Sequence, residues 1–320
     1  MRASFRLYNS MTFKLYLVAA ALLLLASCKK DGVFNPSAKL SAISEYSQVS
    51  YQKYVDSIQS WHQISENVVK RHTVEGWVWN GNTLSAINYY RDGKIDHSLY
   101  FTYDGKQLSR IDDNSNGTHA ECLYDGRKLD EMRFYDKNGK QKMTYIFTHD
   151  GRHISTINVE TKGNTKESCS FDAIENFALQ MMLPETAGCD LRQARNGIKS
   201  DSEITLNLKW KDDNIKSIEY SGHNSLKKAT YKHDKNKNPY RSFIGTLASG
   251  STPHDLFLFG NKNNITSSTI INNDGSGEKK SYSYTYSEEY PTSQSQCIID
   301  NVTQGYRYVT TQIRYYEYVE

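Results

Sequence analysis

The sequence predicts an all-β fold: an antiparallel up-and-down meander of hairpin repeats that forms a strongly curved sheet or barrel, with one short inserted helix. Three observations predict it. First, a phrase recurs between Trp79 and Ile157 in which an aromatic residue or His is followed at +2 by Gly and at +5 and +8 by apolar residues. It reads Trp79, Gly81, Leu84, Ile87, then Tyr103, Gly105, Leu108, Ile111, then Tyr124, Gly126, Leu129, Met132, then His149, Gly151, Ile154, Ile157. Repetition at such a period marks one supersecondary unit written several times. Second, the stretches between phrases alternate, with Ile95, His97, Leu99, Phe101 and Tyr103 set against Asp96, Ser98, Tyr100 and Thr102. A period of two is that of a strand with one apolar face. Third, Asp-Gly and Asn-Gly pairs punctuate the tract at 92–93, 104–105, 116–117, 125–126, 138–139 and 150–151. Glycine accepts the positive φ that tight hairpin turns demand, so each pair reverses the chain.

The +5 and +8 residues are an odd distance apart. On a regular strand they would face opposite ways, so both faces are partly covered or a bulge bends the strand there. A fifth phrase follows at Trp210, Ile215 and Ile218, with Asp212 in the place of glycine.

Taken in order, the chain begins with the basic residues Arg2, Arg6 and Lys14 and an apolar run from Leu15 to Ala26. Such a run is shorter than the roughly 20 residues a transmembrane helix needs and suits a signal peptide over 1–27. Small residues then precede Cys28, resembling a bacterial lipobox, which predicts lipidation of Cys28 and anchoring to membrane lipid. Residues 28–38 read as a polar tether. A single β-domain is expected over 39–320. A first strand is expected near Leu40 to Tyr46; from Tyr51 to Val68 the apolar spacing suits a helix while Ser, Tyr and Val enrichment suits strands. Asp172 and Glu175 form a capping box for a helix over 172–183 that Pro184 ends. Strands resume at Glu203, a polar turn spans Lys235 to Pro239, residues 245–254 form a loop, and Tyr282, Tyr284 and Tyr286 line one face of a late strand.

Composition narrows the function. The formal charge of +3 falls near zero once the three basic residues before Cys28 are removed, and no basic stripe points to nucleic acid. Besides Cys28 there are Cys122, Cys169, Cys189 and Cys297. Cys169 with Cys189 would close a loop of about twenty residues, worth on the order of 3 kcal/mol; buried free thiols fit the same residues. His149 and His153 flank a turn without a third ligand, and a metal site needs three or four. Asp112, Asn114, Asn116 and Gly117 open like a calcium loop, but Ala120 and Leu123 stand where later ligands belong. No nucleophile elbow, His-Glu-x-x-His or phosphate-cradling glycine loop is present, so no enzyme class and no cofactor is indicated. What remains is aromatic surface. The chain has 24 Tyr, and Tyr89, Tyr90, Tyr100, Tyr282 and Tyr284 are the candidate ligand-facing rings, whose apolar body and hydroxyl tip suit a sugar.

The lipobox with Cys28-Lys29-Lys30-Asp31, the Trp77-Val78-Trp79-Asn80-Gly81-Asn82 phrase with Leu84 and Ile87, Lys237-Asn238-Pro239-Tyr240, Asn261-Lys262-Asn263-Asn264-Ile265 and Glu289-Tyr290-Pro291-Thr292 together resemble a known group. It is the lipoproteins of gut Gram-negative bacteria whose domain is of unknown function and has a porin-like fold. The phrases also resemble the tyrosine-aspartate repeats of large surface shells. The resemblance implies an outer-membrane lipoprotein on the periplasmic or the surface side, and it brings no catalytic residues. The reading is a binding or accessory module for a glycan or nutrient; alternatives are a scaffold that binds an outer-membrane protein and an unrecognised hydrolase.

Overall fold

A computed structural model describes residues 30–161, 203–222, 225–249, 257–271, 275–303 and 305–319. Cys28, the signal peptide, Cys169, Cys189 and the helix expected at 172–183 lie outside the described residues. The chain forms one closed antiparallel barrel of sixteen strands, each beside its neighbours in sequence. The strands are β1 Leu40–Val55, β2 Ser60–Asn80, β3 Thr83–Arg91, β4 Lys94–Asp104, β5 Gln107–Asp113, β6 His119–Asp125, β7 Lys128–Tyr135 and β8 Gln141–Asp150. They continue as β9 His153–Thr161, β10 Glu203–Lys211, β11 Asn214–Gly222, β12 Ser225–Lys237, β13 Asn263–Ile271, β14 Gly277–Ser287, β15 Tyr290–Thr303 and β16 Tyr306–Tyr318. Pairing of β1 with β16 closes the ring, which leaves no open edge around its girth.

A bulge resolves the odd spacing of the phrase. Tyr103 opposes Leu108, Thr102 opposes Arg110 and Phe101 opposes Ile111, so Ser109 is extra and both aliphatic residues face the same way. The same slip occurs beside Trp79, Tyr124, His149 and Trp210. It occurs again at three places the sequence did not reveal: His233 against Ile265, Tyr286 against Pro291, and Tyr318 against Leu40. Every second strand pair therefore carries one bulge at the same end of the barrel. The hydroxyls of Ser85, Ser109 and Ser155, each the extra residue, donate to the carbonyls of Val78, Thr102 and Thr148 at 2.9–3.1 Å. At these turns Gly81, Gly105, Gly126 and Gly151 have φ near +58°; Asp212 and Glu288 adopt φ +54° in the equivalent places.

The aromatic residues of the phrases stitch the units together. Trp79 donates to the carbonyl of Leu40, Tyr103 to Leu84, Tyr124 to Leu108, Trp210 to Ile154 and Tyr318 to Pro291, at 2.6–2.9 Å. In each case the acceptor is the residue that opposes the aromatic residue or His of the preceding unit. The two histidines are too short for this reach, and a third side chain completes each link. Asp31 Oδ2 lies 3.0 Å from His149 Nε2 and accepts the Leu129 N–H; Asn261 Oδ1 lies 3.1 Å from His233 Nε2 and accepts the Ile215 N–H.

The apolar face points inward. Leu84, Ile87, Leu108, Ile111, Leu129, Met132, Ile157, Leu206, Ile215 and Ile218 are buried in one cluster with Phe243, Ile244 and Leu247. These last three belong to the segment between β12 and β13, of which only 245–254 was expected as a loop, and they enter the barrel end as a plug that includes a single helical turn, Thr246–Ser249. The ring of Phe243 lies 4.8 Å from Phe34, 5.3 Å from Trp77 and 5.5 Å from Phe101. Residues 31–34, expected within a tether, cross the same end. Asp31 N–H donates to Arg127, Leu108 N–H donates to Gly32, and Phe34 is buried. Only glycine fits at 32, since a Cβ there would collide with Tyr124.

The outer wall is polar. Arg110 bonds Asp112 and Glu121, Arg133 bonds Glu131, and Lys209 and Lys228 share Glu219. From Tyr51 onward the residues form strand rather than helix, with one 3-10 turn at Asp56–Ile58. Pairing of β2 along β1 overrides the helical spacing there.

Burial lowers the pKa of His233, against the opposing pull of Asn261 and Asp234. The folded state therefore binds the proton less tightly than the unfolded chain, whose value is about 6.5. Stability is full above that value and falls as pH drops below it. Melting temperatures at pH 7.5 and 5.0 should show this loss, and His233→Gln should make the difference smaller.

Candidate functional site

The expected ring residues are distributed rather than gathered. Tyr89 faces inward and stacks on His97, with centroids 4.5 Å apart. Tyr90 lies over Gly76, and Tyr100 is 48% exposed. On the other side of the β1–β16 junction Tyr282 is buried, while Tyr284 donates to the Ile265 carbonyl at 2.8 Å. His149 and His153 hold separate partners, Asp31 and Asp213. Asp113, not a calcium-loop ligand set, organises the loop after β5: its carboxylate accepts from Ser115 and Asn116. Among the described residues no group of three or more His, Cys, Asp and Glu could hold a metal ion. Cys122 is a buried thiol whose pKa burial pushes up to about 12, whereas Cys297 is exposed.

Tyr282 and Tyr284 do border a coherent surface. On β14, β15, β16 and β1 the inward face changes character, because register sets polar residues in rows across the strands. Tyr284, Gln294, Arg314 and Glu45 form one row, and Tyr282, Gln296, Gln312 and Ser47 the next. The lower row is tied together: Arg314 donates twice to Glu45 Oε1 at 2.8 and 3.0 Å. Gln294 donates to Tyr284 Oη at 3.0 Å and accepts from Tyr316 at 3.1 Å. Burial holds the Tyr284 hydroxyl well above its ordinary pKa, so it remains protonated at any working pH. Farther along the same face Tyr51 opposes Tyr308. Tyr51 lies 5.7 Å from Tyr306 in a stacked arrangement and 4.8 Å from Tyr308, and the Lys53 ammonium sits over Tyr306. A polar strip of amides and a paired Arg–Glu thus leads from the apolar core to a platform of three tyrosines.

The platform stands on a projection. Residues 60–73 of β2 pair with β1 alone, because β3 meets β2 only from Glu75 to Asn80. Residues 297–303 of β15 likewise pair with β16 alone among the described residues. The four strands therefore extend past the rim as a sheet with two free edges. Ile64, Val68, Val69, Ile299 and Tyr308 are exposed on it. On its outward face the Arg307 guanidinium lies 4.1 Å above Trp61, whose edge contact is Tyr54. Chemically the strip can stack a flat apolar ring face on tyrosine and exchange hydrogen bonds with hydroxyls through amides and a fixed ion pair. No sequence signal marks it, since the four strands that build it come from both chain ends.

No family model matches the chain, and no curated protein matches it. Among solved structures it is similar to a porin-like protein from Bacteroides uniformis ATCC 8492, at 13% identity over 85% of this chain and 97% of that one, with a TM-score of 0.46. It is also similar to a porin-like protein from Bacteroides vulgatus ATCC 8482, at 12% identity over 88% and 99%, with a TM-score of 0.44.

Proposed function

We propose that this protein is a lipid-anchored binding module of the outer membrane, held to the bilayer through Cys28, and that its inner-wall strip takes a glycan or similar nutrient as an accessory to uptake. The observation that carries the reading is the strip itself: Glu45, Arg314, Gln294, Gln296 and Gln312 beside Tyr51, Tyr306 and Tyr308, a sector of the largely apolar inner face where polar groups converge. The barrel is not read as a pore. Its interior is filled around Phe243, and charged groups on a lipid-facing wall cost about 2–4 kcal/mol each near the midplane, whereas this wall carries Arg110, Arg133, Lys209 and Lys228.

A glycan array and a thermal-shift screen on the full chain test this. A ligand selective for the folded state raises the melting temperature. A hit should be lost in Tyr308→Ala and in Gln312→Ala, and kept in Tyr100→Ala on the outer wall. A hit that survives Tyr308→Ala and Gln312→Ala, or a blank screen across neutral and charged sugars, defeats the glycan reading. One observation favours a second reading. The free edge of β2 from 60 to 73 could add a strand from a protein partner, and partner capture sensitive to Val68→Pro would identify that use.

A further inference from the structure

We propose that a second binding site lies on the outer wall between the β10–β11 turn and the start of β13, and that it takes a multiply charged anion bearing phosphate or sulfate groups, such as a phosphorylated or sulfated sugar. The inference does not rest on the inner-wall strip. A cleft of about 620 Å³ is lined there by Lys211, Lys216, Lys232, Lys235 and Lys262, together with Asp212, Asp234, Asn214 and Asn263.

The cleft arises where one unit departs from the repeat. At the other bulges one extra residue intervenes, but here the pairing passes from His233–Ile265 to Lys237–Asn263, so β12 advances four residues while β13 advances two. Residues 234–236 form a wide bulge. The bulge is held in place: Asp234 accepts from the backbone of Asn236 and Asn264, from the Asn264 amide and from Tyr286. Asn214 and Asn263 bond each other across the floor at 2.9 and 3.0 Å. The frame is therefore rigid, and the lysines stand around it on four separate stretches of chain.

The lining carries five ammonium groups against two carboxylates, a net excess of three positive charges. Flanking lysines are held by carboxylates, Lys209 and Lys228 by Glu219 and Lys237 by Glu289. Among the described residues none of the five cleft lysines is in an ion pair. Asp234 is fixed by neutral donors and keeps its charge, and Asp212 stands at the turn, so the two carboxylates offset part of the field and the ammonium groups dominate it. A concave surface in which one sign of charge predominates focuses its field into the cleft and raises the local concentration of the opposite charge.

Side-chain type selects among anions. A planar carboxylate is matched by the guanidinium fork, which is absent from this lining. Ammonium groups act as point charges with rotatable donors and suit tetrahedral oxyanions approached from several directions. The volume exceeds what a single phosphate needs and falls in the range of small-molecule sites, so the anion carries a body as well as charge.

Titration calorimetry on the full chain at low salt tests the site with two soluble probes, inorganic tripolyphosphate and a heparin-derived tetrasaccharide. Saturable binding that weakens about tenfold or more in Lys216→Gln/Lys232→Gln, and that fades as salt screens the charges, is the expected result. Lys94→Gln/Lys140→Gln, on other turns, should bind as wild type. Exposed lysine changes shift stability by about 0.5 kcal/mol or less, so unchanged melting is the folding control, and Lys211→Gln/Lys262→Gln repeats the test on other elements. Vesicles with and without phosphatidylglycerol separate the sources. Cleft-dependent attachment competed by tripolyphosphate identifies a lipid headgroup, and its absence with soluble binding intact identifies a free anion. No saturable binding to any of the three probes, or equal binding by cleft and control variants, overturns the proposal.

Discussion

Phe243→Ala is expected to lower stability by about 3–5 kcal/mol, the range for truncating a buried phenylalanine. The ring is 2% exposed and touches three parts of the chain that are remote in sequence: Phe34 from the N-terminal segment, Trp77 on β2 and Phe101 on β4. A wide barrel cannot fill its own centre with wall side chains alone, so the segment between β12 and β13 must supply the missing volume. Removing its most deeply buried ring leaves a cavity that the wall, held by sixteen strands of hydrogen bonds, collapses into only in part. Thermal unfolding should show a fall in Tm on the order of 10 °C, against little change for Tyr100→Ala on the outside. A variant that melts like wild type would mean that the segment merely rests on the barrel and does not complete its core.

That segment marks the boundary of what the sequence discloses. The phrases at Trp79, Tyr103, Tyr124, His149 and Trp210 were legible because aromatic, turn and aliphatic residues fall on one short stretch of chain. The closing unit was not, because Tyr318 lies at one end of the barrel sequence and Leu40 at the other. The unit at Tyr286 was hidden by Glu288 where glycine is usual and by Pro291 and Gln294 in place of aliphatic residues. The odd spacing within the phrase pointed to a bulge as one of two outcomes, and pairing of the neighbouring strand decided it. Residues 245–254 read as loop, because nothing local says that the chain beside Phe243 and Ile244 will fill a barrel end. The binding strip was illegible for the same reason. Its rows, such as Glu45, Arg314 and Gln294, exist only once β1 has closed on β16. Conversely, the turn signatures Lys237-Asn238-Pro239-Tyr240 and Asn261 to Ile265 hold the neck of the plug: the Asn238 amide donates to Leu258 and Asn261 carbonyls at 2.6 and 2.9 Å.

Asn261→Ala should cost about 2–6 kcal/mol, since it strips the partner from two groups at once and each buried orphan costs about 1–3 kcal/mol. The side chain is fully buried. Its oxygen accepts the Ile215 N–H at 2.8 Å and lies 3.1 Å from His233 Nε2, so it carries the link between neighbouring units that tyrosine or tryptophan makes elsewhere in the ring. The arrangement repeats at His149, where Asp31 does the same for Leu129, and this gives the prediction a second arm. Asn261→Asp keeps the accepting oxygen and should be less damaging than Ala near pH 6. It also places a carboxylate beside His233, which favours the protonated ring and raises its folded pKa. The sign of the pH dependence then reverses. A histidine whose folded pKa lies above the unfolded value contributes stability that is present below the unfolded pKa and is lost as pH rises through the folded one. Wild type should lose stability between pH 7 and 5, whereas Asn261→Asp should hold or gain it. If both proteins instead weaken in parallel on acidification, His233 is not the group that couples this joint to pH, and the link between the units rests on the Ile215 bond alone.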